Sequence, residues 1–160
     1  MNTLYTKMIE YYSGDPKRIQ HFTKVHSYAR LIGQLEHLSD DTQNILEIAA
    51  LVHDIGIKIS ELKYGNCNGK NQEKEGKAEA EKLLTELGYP QEVIERVSYL
   101  VGHHHSYDQI EGMDYQILVE ADFIVNMYED AESEENCRKV CKRIFKTESG
   151  TRIFKDMFGI

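Results

Sequence analysis

The sequence has few of the features that would place a protein outside the ordinary globular class. Only 2 of its 160 residues are proline, and there is no Gly/Ser-rich segment. No apolar run approaches the roughly 20 residues that a membrane-spanning helix needs. With 41% hydrophobic and 29% charged residues, the composition predicts a single globular domain with a sizeable buried core.

Cysteine is also scarce. Cys67 stands alone, and Cys137 and Cys141 are one helical turn apart, without the Cys-x-x-Cys pairs of a structural zinc site. We therefore expect three reduced thiols with minor structural roles. The first residues, MNTLYTKMIEYY, lack the basic and then apolar pattern of a signal peptide. Together these features lead us to expect a cytoplasmic protein.

Positive charge is in short supply. The chain has 19 Lys and Arg against 27 Asp and Glu, a formal net charge of -8. Because phosphate contacts need clustered cations, we expect neither a nucleic-acid duplex nor an anionic membrane as a partner. A small anionic phosphate compound is still compatible with the sequence, provided that a bound cation or a few lysines supply local positive charge. The oligomeric state does not follow from the sequence.

Strand patterns are almost absent, and most of the chain has helical periodicity. Asp15 and Pro16 in SGDP are typical of an N-cap and a first helical position, and Ser39 or Asp40 in LSDD is suited to cap the next helix. We predict helices over about residues 2–12, 16–38, 41–53, 73–87, 91–104, 115–129 and 134–147, with a polar loop KYGNCNGKNQ and a loosely patterned tail. Without an internal repeat or a long linker, residues 1–160 are predicted to form one all-α helical bundle.

Helical periodicity also predicts which polar side chains point inward. His21 is in line with Val25 and Ala29 on an apolar stripe, whereas His26 falls on another face and is expected to be solvated or at the edge. Asp122 lies among aliphatic residues of its helix. Because burying an unpaired carboxylate costs several kcal/mol, Asp122 should have a cationic or strongly donating partner.

A His-Asp doublet ends an apolar helix in AALVHDIG, where both side chains can turn toward one point. His21, His53, Asp54 and Asp122 come from three helices that would have to converge. Imidazole nitrogens and carboxylate oxygens suit Mn, Fe, Co, Ni or Zn better than calcium. Four protein ligands would leave positions for water, as a hydrolytic metal requires. Taken singly, each residue is more often a hydrogen-bonded core group, so the metal site depends on convergence.

These residues occur in an ordered set of motifs, RIQHFTKVHSYA, AALVHDIG, VGHHHSY and LVEADFIV. The set resembles the HD-domain metal-dependent phosphohydrolase superfamily over about residues 15–128, which leaves about 129–160 as a C-terminal helix and tail. The resemblance implies that the four residues above are ligands of a divalent transition metal at the centre of a helical bundle. It also implies a metal-activated water that attacks a phosphate ester.

The histidine run GHHHS follows the predicted helix 91–104. By the same resemblance, His104 is the first candidate for a second metal or for the substrate phosphate and His103 is the second, while His105 is expected to open the next loop. The alternative is three imidazoles at a frayed helix end. Members with two metals usually carry a further histidine where this chain has Gln72, so one ion is the simpler expectation. Two ions remain an alternative in which a nearby glutamate, Glu73 or Glu75, substitutes.

Three further roles are predicted beside the metal. Asp54 is placed to orient the attacking water as well as to ligate. Lys58 and Arg18, each about one helical turn from a predicted ligand, are candidates to contact the phosphate, although such cations are more often solvated. The loop over residues 64–70, with its Tyr, Asn and Lys side chains, is a hypothetical lid.

The sequence therefore predicts a metal-dependent phosphohydrolase that acts on a nucleotide or another small phosphate ester. One alternative is a catalytically inactive metal-binding module that senses a nucleotide or docks a partner. Another is a purely structural helical domain. The identity of the substrate and that of the metal do not follow from the residues, because the same ligands accept several ions.

Overall fold

The computed structural model describes all 160 residues as nine α-helices without a strand, which confirms the predicted all-α fold. The helices are α1 (Asn2–Tyr11), α2 (Pro16–Leu35), α3 (Asp40–Val52), α4 (Gly56–Tyr64), α5 (Gly69–Glu86), α6 (Gln91–Val101), α7 (Met113–Glu129), α8 (Glu134–Ile144) and α9 (Glu148–Phe158). None of them combines the length and the hydrophobicity required to cross a membrane.

The centre of the bundle is formed by α2, α3 and α7, which pack against one another. The run from Ile48 to Val52 at the end of α3 is completely buried, because neighbouring helices enclose this end of the helix. The pair α5 and α6 packs on one flank, and α8 and α9 contact α7 on another. The His-Asp doublet that follows Val52 is thereby carried into the interior of the domain.

Helix α1 anchors the turn that holds the doublet. Met8 and Tyr12 are buried, at 1% and 3% exposure, so this helix faces the core of its own chain. The Tyr12 hydroxyl donates to the carbonyl oxygen of Asp54 at 2.7 Å, and the Tyr11 hydroxyl donates to that of Ile55 at 3.2 Å. These bonds fix the backbone that directly follows the Asp54 side chain.

Two of the predicted helix starts are confirmed by their caps. The Asp15 side chain accepts a hydrogen bond from the backbone N–H of Arg18, with Pro at the first helical position. For α3 the cap is Ser39, whose hydroxyl accepts from the N–H of Thr42. Such caps satisfy one of the free N–H groups at a helix start. All three cysteines are free thiols.

The structure corrects several predicted boundaries. The helix predicted to reach residue 38 ends at Leu35, and His37 beyond it has a positive φ of 56°. The helix predicted over 91–104 ends at Val101, so the histidine run lies in the turn that follows. The helix predicted over 134–147 ends at Ile144, and Thr147 instead caps α9, which occupies the segment predicted to be a loosely patterned tail.

Helix α4 was also missed, because its nine residues have little amphipathic pattern and lie beside a segment rich in Gly and Asn. Part of the predicted loop KYGNCNGKNQ is the end of α4 and the first turn of α5. Gly56 opens α4 against α5, where a Cβ atom would lie 2.6 Å from the nitrogen of Gly76. This close backbone approach requires glycine and brings α5 beside the doublet.

Candidate metal centre

The four predicted ligand residues converge at one point of the bundle. His21 comes from α2, His53 and Asp54 from the turn after α3, and Asp122 from α7. His21 Nε2 lies 3.3 Å from His53 Nε2, 3.4 Å from Asp54 Oδ2 and 3.2 Å from Asp122 Oδ1. His53 Nε2 lies 3.4 and 3.5 Å from the same two oxygens. We call these residues the central cluster.

Hydrogen bonds on the far side of each ring determine what the imidazoles present to the centre. His53 Nδ1 lies 2.9 Å from the carbonyl oxygen of Ala50, which only accepts, so this nitrogen carries the proton. His21 Nδ1 likewise donates to Glu129 Oε2 at 3.0 Å. In their neutral forms both rings therefore direct a lone pair of Nε2 toward the two carboxylates. Lone pairs that face one another need a cation between them.

His104 adds an independent observation. Its Nδ1 donates to the carbonyl oxygen of Val101 at 2.8 Å, while its Nε2 is buried without a hydrogen-bond partner and lies 3.5 Å from Asp54 Oδ1. Buried polar atoms are nearly always satisfied. An orphaned imidazole nitrogen aimed at a carboxylate oxygen fits a site that takes up a proton or a metal ion.

The electrostatics of the central cluster favour the charged forms of both its imidazoles and its carboxylates. Burial by itself would lower the pKa of His21, but the carboxylates of Asp122 and Asp54 raise it to about 9. Burial opposes a charged His53 as well, yet the same carboxylates leave its pKa raised. Burial would raise the pKa values of Asp54 and Asp122, and the imidazoles hold both well below the ordinary range. A divalent cation would replace the Nε2 protons of the imidazoles and would stabilise the two carboxylates in the same way.

The donor set fits a divalent transition metal. Two imidazole nitrogens and two carboxylate oxygens are the mixed ligands that such ions accept, whereas calcium prefers an all-oxygen shell. His21, His53 and Asp54 offer ligand atoms that all lie within 4.8 Å of one another. The cluster could therefore hold any of several divalent transition-metal ions.

Two residues of α7 support the cluster and were not predicted. The Asn126 side chain donates to Asp122 Oδ1 at 2.8 Å. Glu129 accepts from His21 and also from Lys24 at 2.7 Å. Burial by itself would raise the pKa of Glu129, but the hydrogen bonds from Lys24 and His21 leave it lowered. Both residues follow Asp122 at helical spacing, four and seven positions on, and this pattern was the signal available in the sequence.

A cavity of about 300 Å³ opens over the cluster, and Ile57 is its one hydrophobic lining residue. The others are Asp15, Lys17, Arg18, His21, Asp54, Gln72, His105, Asp122, Asn126, Glu129 and Asp130. Arg18, a predicted phosphate contact, therefore lies at the cavity, paired with Asp15 at 2.7 Å and with Glu61 at 2.6 Å. Lys17 reaches the same cavity and was missed. The lining suits a polar, charged ligand.

The structure does not bring Lys58 to the site. Its amine donates to the carbonyl oxygen of Tyr11 at 2.9 Å and lies 5.0 Å from the centre of the Tyr11 ring. Lys58 is not among the residues that line the cavity. Lys58 lies in the first turn of α4, and this helix turns its exposed side chain toward α1. The hypothetical lid over residues 64–70 is also absent from the cavity lining. Asn66 Oδ1 instead accepts from the side chains of Asn68, which caps α5, and of Asn71 in the first turn of α5.

The three consecutive histidines occupy three different places. His104 joins the cluster, as described above. His103 stacks on Tyr99 with ring centres 4.2 Å apart and is not among the residues that line the central cavity. His105, predicted to open a loop, instead lines the cavity, with Nε2 2.9 Å from the side-chain oxygen of buried Gln72. Burial lowers the pKa of His105 to about 4.

A second group of possible ligands adjoins the first. Asp54, His104 and His105 offer ligand atoms within 4.8 Å of one another. A two-ion site therefore remains an alternative, although Gln72 lies where the resemblance called for another histidine. Glu73, a nearby glutamate that could have substituted, is engaged elsewhere, since its Oε1 accepts from the N–H of His105 and the hydroxyl of Ser106.

One orientation predicted from periodicity was wrong. His26 was expected to be solvated or at the edge, but it is only 9% exposed. Tyr5 of α1 lies edge-on against its ring at 5.7 Å, and Glu47 of α3 lies 3.3 Å from its Nε2. Burial lowers the pKa of His26. Helical periodicity within α2 could not reveal that neighbouring helices cover this second face.

Comparison with known proteins agrees with the geometry. The family model of the HD domain matches residues 18–146. No match was found among curated proteins. The fold resembles a solved structure described as a predicted HD superfamily hydrolase from an uncultured Thermotogales bacterium, with a TM-score of 0.71 and 23% identity over 99% of this chain and 85% of that one. At that identity the likeness concerns the fold alone.

Proposed function

The chain belongs to the HD domain family, and on this premise we propose that it is a metal-dependent phosphohydrolase acting on a nucleotide or another small phosphate ester. The observation that carries the proposal is the convergence of His21, His53, Asp54 and Asp122, which sets the Nε2 atoms of two imidazoles against two carboxylates. The Nδ1 hydrogen bonds of both rings leave Nε2 to carry either a second proton or a metal ion. The open polar cavity above the cluster gives a small ligand access.

The central cluster is the proposed ligand set for one divalent ion of Mn, Fe, Co, Ni or Zn. Such an ion lowers the pKa of a bound water and polarises a phosphoryl oxygen. Glu129 holds the Nδ1 proton of His21, and Ala50 holds that of His53, so both rings keep Nε2 free for coordination.

The substrate phosphate would meet cations of the chain itself at the cavity. Lys17 and Arg18 lie at the start of α2, on the wall that leads to His21. Asp15 and Glu61 hold the Arg18 guanidinium in place, so it can offer its remaining N–H groups to a phosphoryl oxygen. These cations supply the local positive charge that an anionic substrate of this acidic protein requires.

Asp54 and His104 are the proposed proton-handling pair. Asp54 Oδ2 faces the nitrogens of His21 and His53, while its Oδ1 faces His104 Nε2 at 3.5 Å. A proton released from the attacking water can be held between Asp54 Oδ1 and the lone pair of His104 Nε2. Asp54 thus orients the attacking water and passes the released proton toward the buried imidazole of His104.

The proposal is tested by metal analysis of the purified protein, followed by phosphate release from a panel of nucleotides and sugar phosphates with Mn, Co or Ni restored. We expect stoichiometric metal and hydrolysis that is abolished by His53→Ala and Asp54→Ala. His37→Asn is the matched control, because it removes an imidazole remote from the cluster, at a position of positive φ that asparagine tolerates.

The alternatives give different results in the same experiment. A metal-binding module that senses a nucleotide or docks a partner would hold stoichiometric metal without releasing phosphate from any ester. A structural helical domain would hold no stoichiometric metal. Either outcome contradicts the proposed phosphohydrolase, and the two outcomes are distinguished by the metal content alone.

A further inference from the structure

A second cavity lies beside the first and differs from it in chemistry. Its volume is about 490 Å³, and the two cavities share His105 as a common wall. Whereas Ile57 is the one hydrophobic residue of the first cavity, the second is lined by four further aromatic rings, those of Tyr99, His103, Tyr107 and Tyr115. A polar cavity over a metal-type cluster therefore adjoins one suited to a planar group.

The rings of the second cavity are held in place by the protein. Tyr99 and His103 stack with an interplanar angle of 27°, and the Arg96 guanidinium lies 5.3 Å from the Tyr99 ring centre. The Tyr115 hydroxyl donates to the carbonyl oxygens of His103 and Ser106, which ties down the turn after α6. Tyr115 is buried and Tyr99 already contacts His103 and Arg96, so the rings open to a ligand are the partly exposed ones of His103 and Tyr107. Because the neighbouring rings hold this wall in place, little conformational entropy would be lost on binding.

The rest of the lining is polar. The Ser106 hydroxyl, the Asp108 carboxylate and the Gln109 amide line the same cavity as the rings. Together they offer both hydrogen-bond donors and acceptors. A heteroaromatic ring with polar edge atoms can stack on the wall and bond to these groups, as bases do in nucleic-acid sites. A hydrocarbon ring would use the wall and leave the polar groups without partners.

We propose that the second cavity is a subsite for the base of a nucleoside phosphate whose phosphate lies over the central cluster. This inference rests on the proposed function for the position of the phosphate. It narrows the substrate class from small phosphate esters to nucleoside phosphates, in preference to sugar phosphates. In this arrangement His103, which the resemblance suggested as a second-metal or phosphate ligand, belongs to the stacking wall.

The first test measures binding without chemistry. Adenosine, guanosine, cytidine and uridine are titrated against the metal-loaded protein by calorimetry, with ribose as the control that lacks a base. We expect at least one nucleoside to bind about 10-fold or more tightly than ribose, because base stacking adds to affinity. Nucleosides that bind no more tightly than ribose would overturn the proposal.

The second test compares hydrolysis of the preferred nucleoside 5′-monophosphate with that of ribose 5-phosphate. Tyr107→Leu and His103→Ala should reduce the preference for the nucleotide, expressed as the ratio of kcat/KM values, by about 10-fold, mainly through KM. Tyr89→Leu, on the connection between α5 and α6, is the matched control and should keep the ratio.

A conservative variant separates stacking from ligation. His103→Phe keeps an aromatic ring but removes both nitrogens, so we expect it to retain the preference that His103→Ala loses. His103 Nδ1 bonds within the protein, to the carbonyl oxygen of Tyr99 at 2.7 Å. If His103→Phe is as impaired as His103→Ala, an aromatic ring at this position does not suffice and the stacking role is wrong.

The two proposals fail in different ways. If nucleosides bind but no ester is hydrolysed, the proposed function fails and the base subsite stands. If esters are hydrolysed but nucleosides bind no more tightly than ribose, the subsite fails by itself.

Discussion

Two buried carboxylates on α7, Glu120 and Asp122, lie only two residues apart and have opposite surroundings. They are 0% and 5% exposed. Because successive residues of an α-helix are rotated by about 100°, positions i and i+2 point to nearly opposite sides. Glu120 faces the connection between α8 and α9, and Asp122 faces α2 and the turn after α3.

Glu120 is surrounded by proton donors. Its Oε1 accepts from the Gln116 amide and from the backbone N–H groups of Lys146 and Thr147, at 2.7, 2.7 and 3.0 Å. Its Oε2 accepts from the Thr147 hydroxyl. Every one of these partners stabilises the carboxylate without an added ion, so the group serves to hold the start of α9 against α7.

Asp122 has one such donor, Asn126, and otherwise faces the Nε2 atoms of His21 and His53. Since the Nδ1 protons of these rings are held on the far side by Glu129 and Ala50, the charge of the carboxylates has to be balanced by a second proton on an imidazole or by a metal ion. The comparison shows that burial of a carboxylate does not by itself indicate a metal site. What matters is whether the surrounding atoms donate protons or offer lone pairs.

The largest expected effect is on metal affinity. Asp122→Asn should weaken metal binding by about 100-fold or more, because the ion loses an anionic ligand while the hydrogen bond to Asn126 can persist. Glu120→Gln should retain the wild-type metal content. Elemental analysis after dialysis at a fixed free metal concentration provides the measurement. Equal metal contents in the two variants would contradict the assignment of the metal to Asp122 and not to Glu120.

The same contrast should appear in stability. At a metal concentration of about 100 times Kd, bound metal should raise the free energy of unfolding of the wild type by about 2.7 kcal/mol. Glu120→Gln should gain the same increment at its own lower baseline, whereas Asp122→Asn should gain almost none. Urea denaturation with and without metal measures the increments. A full gain in Asp122→Asn would show that the stabilising ion binds elsewhere.

The metal-independent stability should respond in the opposite order. Glu120→Gln is expected to lower the free energy of unfolding by about 2 kcal/mol, because buried N–H groups at the start of α9 lose part of their acceptor. Glu81→Gln, on an exposed face of α5, makes the same chemical change and should alter stability by less than about 0.5 kcal/mol. Urea denaturation in the presence of a chelator provides both values. If Glu120→Gln left the free energy of unfolding unchanged, the structural role assigned to Glu120 would be wrong.

The smallest effects concern the amide partners four residues from each carboxylate. Asn126→Ala should weaken metal binding by about 10-fold, because it no longer orients Asp122. Gln116→Ala should leave metal affinity unchanged and cost about 1 kcal/mol of stability, since it removes one donor from Glu120. Metal titrations and urea denaturation of both variants separate the two outcomes. If Gln116→Ala weakened metal binding, the two sides of α7 would be coupled.

This comparison also marks how far the sequence could be interpreted. Asp122 stood out because it interrupts an aliphatic face, and the prediction that it needs a partner agrees with its position beside two imidazoles. Glu120 drew no attention, although it is the more deeply buried of the two. Three of its four donor groups come from residues 26 and 27 positions away, and periodicity within a single helix carries no information about such distant partners.

The same limit explains the errors at the histidines. His26 looked exposed because only the pattern of α2 was visible, but Tyr5 and Glu47 of other helices cover it. In the run after α6, one ordered turn sends His103, His104 and His105 to three different places. A helix predicted to extend to residue 104 could not show this, because the directions of the side chains depend on where the helix stops.

By itself, the sequence determined the all-helical class, the capped starts of α2 and α3, and the order of the His, His-Asp and Asp motifs, because periodicity and capping are local properties of the chain. Only the tertiary structure decided which nitrogen of each imidazole faces the cluster and which cations reach the cavity. It also decided that a second, aromatic cavity adjoins the first. These properties depend on hydrogen bonds and packing between helices that are far apart in sequence, and no local pattern encodes them.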